Sequence, residues 1–420
     1  MNNIFKIRLK SGALQFAIYT GAIVALLLLG VILYLHTFKM LRQNSEISID
    51  NLKAANIGFF KATKENNISN DTIIIADFND QNQQVKIVNT FWGVFLKAVV
   101  LAENKNKKFD KCGLIGSVFS EKQRLSLYLK NNYKPLIVVG NARIEGNVMI
   151  PEQGVQSGYI AGNSYLGDQL IYGNSQISSQ DLPKLNNSLL NELDKYDKEN
   201  KNRVSNDILN TNDKNRNSFL SETKVIYDKN SFSVSQEIIG NFIIKSDNTI
   251  TITATSKLKD VVIMAPEIII EDDVKGNFQA IATNKIQVGK NVNLSYPSAL
   301  VINENKDMLA EEAQIVIDEF STIKGIILFK TNKDLLNSFA THLKIQENAK
   351  ILGEVYCEGN FELKGEVWGS VYTHQFVSNT AGTIFINHLY NAKISAKSFP
   401  AFYSGLLFEN QTKSIMKWLY

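Results

Sequence analysis

Residues 250–294 read ITITATSKLKDVVIMAPEIIIEDDVKGNFQAIATNKIQVGKNVNL, and the period inside this stretch decides the fold. Ile250 and Ile252 recur 18 residues later as Ile268 and Ile270, and again as Ile286 and Val288; Val274 recurs as Val292 at the same step. One position separates the two aliphatic residues of each pair, so a β-strand sets both on a single face. Thr251 and Gln287, in between, are polar and suit an outward face, whereas Ile269 suits a covered one. A unit this short cannot bury its own apolar face and must stack on its neighbours. Short strands at a regular step, divided by Gly, Asn and Asp that tolerate left-handed backbone at corners, are what a parallel β-solenoid requires.

The pattern extends beyond this stretch. Leu343, Ile345, Ala349 and Ile351 copy the spacing of Ile286, Val288, Val292 and Leu294. Val355, Phe361, Leu363, Val367 and Val371 continue it, with Gly353, Gly359, Gly365 and Gly369 between them. Gly140-Asn141-Ala142-Arg143-Ile144-Glu145-Gly146-Asn147-Val148 has the same texture of apolar pairs punctuated by Gly-Asn. A β-sandwich is the rival architecture, because strands every 8–12 residues fit it as well. The steps at Gly140–Val148 and from Ile351-Leu352-Gly353-Glu354-Val355 through Gly369-Ser370-Val371 resemble those of the bactofilins. That resemblance implies a β-solenoid and says little about function.

The N-terminus carries a second strong signal. Ser11 to Phe38 is a run of 28 residues without Asp, Glu, Lys or Arg. Within it Phe16–Leu35 (FAIYTGAIVALLLLGVILYL) supplies the roughly 20 apolar residues that cross a bilayer as a helix. A cleaved signal peptide would have a shorter apolar core and a small-residue cleavage site, and neither is present. Lys6, Arg8 and Lys10 precede the span; Lys39 and Arg42 follow it but are soon offset by Glu46 and Asp50. The positive-inside rule then puts the N-terminus in the cytoplasm, and the bulk of the chain in the periplasm or outside the cell. Leu41, Ile47, Leu52, Ala55 and Phe59 continue an apolar pattern, which predicts a helical stalk reaching about Lys61.

A short basic leader, a glycine and an unbroken apolar helix with an amphipathic continuation resemble the N-termini of type IV pilin-like proteins. The residues are Lys10-Ser11-Gly12-Ala13-Leu14 and the Phe16–Leu35 run, and the nearer likeness is to minor pilins and pseudopilins, PilX-like or of the type II secretion K type. The resemblance implies a prepilin-peptidase cut between Gly12 and Ala13, and partners among envelope, pilus or secretion subunits. Most pilins carry Glu at the fifth mature position, whereas here Ala17 occupies it, a departure shared by some K-type pseudopilins.

The expected fold is therefore mainly β: an N-terminal transmembrane helix with an extended stalk, then a β-rich domain and a parallel β-solenoid-like region. The regions read as a cytoplasmic leader (1–10), transmembrane helix (11–38), helical stalk (39–62), α+β subdomain (63–134), Gly-rich β/loop region (135–184), polar linker or insertion (185–220) and solenoid-like domain (221–420). In the subdomain Asp71–Phe78, Gln84–Val88 and Phe91–Val100 read as strands, and Ser120–Leu129 as a short helix. Leu189, Leu190 and Leu193 suggest a short helix in the polar stretch.

Composition excludes several functions. Hydrophobic residues make up 44% of the chain and charged residues 20%, as in an ordinary folded protein. The formal net charge is +4, of which Lys6, Arg8 and Lys10 supply three, so the body is near neutral and lacks the basic face that nucleic acid requires. Two cysteines, Cys112 and Cys357, make no disulfide scaffold, although one bridge between them is open. None of His36, His342, His374 and His388 stands at metal-ligand spacing, and no phosphate loop, dinucleotide fingerprint or nucleophile elbow occurs. The chain is thus expected to have no catalytic, metal or cofactor residues and to be no enzyme. Glu271-Asp272-Asp273, the densest acidic cluster, falls at a predicted corner and reads as a solvated turn. The leading expectation is a single-pass envelope component, in the inner membrane, that acts by structure and assembly; uncapped coils offer homo-oligomers through the solenoid ends. The alternative is a surface-anchored β-helix carbohydrate-active enzyme or glycan-binding module, with Tyr356, Trp368 and Tyr372 as sugar-stacking candidates. A long open groove lined by two or more carboxylates would favour the enzyme, whereas a closed or flat surface would favour assembly.

Overall fold

The computed structural model describes residues 11–64, 72–78, 83–198, 215–304, 313–331, 333, 339–380, 382–397 and 399–419. The basic leader, with Lys6, Arg8 and Lys10, lies outside the described residues. The chain forms two compact units. One comprises residues 1–58, 74–86 and 101–110, and the other residues 59–73, 87–100 and 111–420. The protein is mainly β, with one long apolar helix at the N-terminus.

Helix α1, Ser11–Lys64, is continuous for 54 residues, as expected from a run without proline. Its membrane-length part is apolar all round and fully exposed: Phe16, Ile23, Leu27, Ile32 and Leu35 each show more than half their surface. Further along, Ala54 and Ala55 turn inward. Buried Asn51 anchors this part within the first unit: its Nδ2 donates to the Lys107 carbonyl at 2.9 Å, and its Oδ1 accepts from Gln83 Nε2 at 2.8 Å.

Strands β1 (Thr72–Phe78), β2 (Gln83–Trp92), β3 (Phe95–Asn104) and β4 (Lys107–Val118) are neighbours in that order. Ser404–Gly405 and Lys413–Leu419 pair antiparallel with β4. The Phe91–Phe95 aromatic run is therefore no single strand. It turns at Gly93, whose φ of +60° is favourable for glycine.

The rest of the second unit is a parallel β-solenoid, and the 18-residue step is its coil. Phe232, Ile250, Ile268, Ile286, Ile315, Leu343, Phe361 and Phe376 are register partners on successive coils. Ile250, Ile268, Ile286 and Leu343 are fully buried, as the spacing requires. Two further columns complete the core. One runs from Leu258 through Leu294, Ile323, Ile351, Val367 and Ile394 to Ile144. The other runs from Ile263 through Leu300, Ile327, Val355, Val371 and Leu127 to Val148. Asp273, Asn291, Phe320 and Asn348 recur at one corner, each with positive φ. Glu271-Asp272-Asp273 sits at this corner and is exposed, as its composition suggests. Ile269 is 37% exposed, so the outer face there is open where a covered one was expected.

The coils are not stacked in sequence order. Leu125–Leu129, Arg143–Glu145, Asn147–Ile150 and Ser175–Ile177 lie beyond Glu366–Thr380 at one end of the stack. Residues 135–184 and 221–420, expected to be separate regions, thus contribute to one core. Residues 125–129 are a strand and not a helix, because their alternate Leu residues face this core; the turn before them closes through Arg124 N to Ser120 O. In the polar stretch, helix α2 (Asn187–Lys198) buries Leu189 and Leu193, with Asn186 Oδ1 accepting from Ser188 N at its start.

Candidate functional site

Gly12 and Ala13, the expected cleavage pair, lie in the first turn of α1, exposed, and no other group comes within 4 Å of Gly12. That arrangement leaves the peptide bond accessible. Ala17, one turn further on, is exposed as well.

A cavity of about 830 Å³ opens on the flank of the solenoid. Its floor is built by register. Phe329, Cys357, Thr373 and Leu129 are partners on four successive coils, and their side chains point inward. The residues that follow them, Lys330, Glu358, His374 and Lys130, therefore occupy one corner, one per coil. Glu358, His374 and Lys130 line the cavity together with Asp181, Leu182, Lys184, Leu185, Tyr356 and Glu409. Glu358 Oε2 accepts from Thr331 N at 3.0 Å, and Asn132 Nδ2 donates to the His374 carbonyl at 2.8 Å. Burial pushes the Glu358 carboxyl above its ordinary range, while the Thr331 N–H, Lys330 and Lys130 pull it back. Lys333, also on the lining, pairs with buried Glu304 at 2.6 Å.

A second polar feature holds the C-terminal segment against the same coils. Gly325, Gly353 and Gly369 are register partners and form a trough. A Cβ on Gly353 would come within 2.9 Å of the Tyr403 hydroxyl, and one on Gly369 within 3.1 Å of the Phe399 ring, so both rings seat where only glycine leaves room. Tyr403 Oη donates to the Gly325 carbonyl at 2.9 Å, and Tyr296 Oη to the Ser404 carbonyl at 2.6 Å. Arg124 donates to the carbonyls of Ala401 and Phe119, at 3.0 and 3.2 Å. Glu354, 2% exposed, accepts the Leu406 N–H on Oε2 at 2.7 Å, with Gly405 closely packed on the carboxylate. Burial pushes the Glu354 carboxyl up to about 7, against the opposing pull of the Leu406 N–H and Arg124. No sequence signal marks this carboxylate, which sits on a strand among apolar residues.

Other singled-out residues are structural. Tyr356, Tyr372 and Tyr128 are outward-facing register partners, but all are buried, with the Phe408 ring 6.2 and 5.0 Å from those of Tyr356 and Tyr372. Tyr356 shows only its edge, on the lining of the flank cavity, so none of the three presents an open ring face. Trp368 is half-buried, its Nε1 on Glu366 at 2.8 Å and Lys393 over its ring. His342 is buried beside Phe329 and accepts from Asn360 N; His388 meets the Ile386 carbonyl through Nδ1. Cys112 and Cys357 are free and buried, and burial raises the Cys112 thiol to about 11, away from nucleophilic use. No group of three His, Cys, Asp or Glu able to hold a metal occurs among the described residues.

No family model matches the chain, and no curated protein matches it. Among solved structures, the crystal structure of the competence-associated pilin ComZ from Thermus thermophilus is similar at 10% identity, over 84% of this chain and 87% of that one, with a TM-score of 0.21. A likeness that low carries no argument about fold or function.

Proposed function

We propose that the chain is a single-pass, membrane-anchored structural component of the cell envelope that carries its solenoid on the extracytoplasmic side, in the manner of a minor pilin or pseudopilin. The observation that carries this reading is the Phe16–Leu35 segment, which is helical, long enough to cross a bilayer and exposed over its whole apolar circumference. Water does not tolerate such a surface on a monomer, whereas a bilayer or a bundle of like helices covers it. The Lys10–Leu14 leader and the unbroken continuation into a stalk support the pilin-like form. On this reading the solenoid acts by docking to envelope, pilus or secretion subunits, with no catalysis, and its end coils are where copies would meet. Carbonate extraction of membranes tests the anchor: the protein should stay in the pellet, and release into the supernatant would overturn the reading. Mass spectrometry of the mature N-terminus tests the pilin-like form. A chain starting at Ala13 supports it; one keeping Met1 or Asn2, in cells with an active prepilin peptidase, reduces it to a plain anchor.

A further inference from the structure

The cavity beside Lys130, Glu358 and His374 has no part in anchoring or in docking through the coil ends, and its chemistry selects a ligand. Strands of neighbouring coils lie about 4.8 Å apart, so the corner column presents one polar side chain at each such step. That step is close to the length of one ring in an extended glycan, and successive rungs can meet successive sugars. The backbone on the floor is already committed, since Val355 and Val371 each pair with coils on both sides. An added peptide strand would need a free edge, and here only side chains remain to read a ligand. Lys333 is already paired with Glu304, which leaves Lys130 and Lys184 beside Asp181, Glu358 and Glu409, so the lining offers donors and acceptors together without the cationic excess that would select an anion. Leu182, Leu185 and Leu190 add apolar wall suited to the C–H faces of sugar rings. The volume of about 830 Å³ lies within the range of small-ligand sites.

We propose that this cavity is a binding site for a short, linear, neutral glycan lying across the coils. Such a site gives the anchored solenoid a hold on surface polysaccharide. The test uses the full-length protein in amine-oxide micelles, which contain no sugar, with calorimetric titration of cellotriose, maltotriose and chitotriose in turn. At least one should bind saturably. The paired substitution K130A/E358Q, which keeps the acceptor for Thr331 N, should weaken that binding at least about tenfold, the loss expected for a charge-assisted hydrogen bond. K184A, on the exposed wall, is the second variant and should weaken it less without touching the floor. Absence of saturation with all three sugars overturns the proposal, as does equal affinity in wild type and both variants.

Discussion

Glu354 gives the sharpest quantitative prediction, because one buried carboxylate fixes both the sign and the size of a pH effect. Its folded pKa of about 7 stands above the ordinary 4.5, and the main cause is burial. Between those two values the folded protein keeps a proton that the unfolded chain has released. Stability therefore falls as pH rises through this window, and the full penalty is in force above about pH 7. At about 1.4 kcal/mol for each pH unit between the folded and unfolded values, the penalty is on the order of 3 kcal/mol. Glu354→Gln keeps an oxygen for the Leu406 N–H and removes the charge. It should therefore melt several degrees above wild type at pH 8 and close to wild type at pH 5. The groups facing Glu354 are Arg124, Tyr296, Tyr372 and Tyr403, and the tyrosines, all raised, stay neutral across this range. Thermal melts followed by circular dichroism at pH 5, 6, 7 and 8, in the same detergent, give the comparison. A wild type that gains on the variant as pH rises, or a gap that does not change with pH, would refute the reasoning.

The remaining expectations concern the core and its contacts. Ile286→Ala should cost about 2–5 kcal/mol and Gln287→Ala little, read from denaturant midpoints, since the first is fully buried in a column and the second faces out. Gln279→Ala removes both partners of the Gly93 turn, the bonds to Trp92 O and Val94 N at 2.8 Å, and should cost about 2–4 kcal/mol on the same assay. Gly369→Ala should fail to give the native melt, because its Cβ would overlap the Gly353 carbonyl oxygen. Cys112 and Cys357 should resist maleimide in the native protein and react promptly in denaturant, and rapid native labelling would contradict their burial.

Much of this architecture is legible in the sequence because solenoid stacking copies a local period into long-range register. Ile250, Ile268 and Ile286 align from spacing alone, since one coil is one repeat. The next partners, Ile315 and Leu343, lie 29 and 28 residues on, where insertions lengthen the coil; Leu343 keeps the whole spacing pattern, whereas Ile315 keeps it through Ile317 and Ile323 but has polar Ser321 in place of the third aliphatic. The stacking of Leu127 and Ile144 on the far end is hidden for another reason: strands of 3 to 5 residues carry too little pattern to reveal a partner more than 200 positions away. The same limit makes residues 125–129 a strand where a helix was expected. The flank cavity has no sequence signature, because Lys130, Glu358 and His374 are brought together only by register between distant coils. Glu354 is equally hidden, because its partners, Leu406 and Gly405, come from the far C-terminus.

The central claim is that an uncleaved or once-processed helix holds the solenoid outside the cytoplasm, and site-directed labelling tests it most directly. Thr255 is exposed at a coil corner, and the two native cysteines are buried, so background is low. Thr255→Cys, expressed in full-length protein, is treated in intact spheroplasts with a membrane-impermeant maleimide. Labelling is predicted before the membrane is permeabilised, equal to that obtained afterwards. Labelling that occurs only after permeabilisation would place the solenoid in the cytoplasm and contradict the claim.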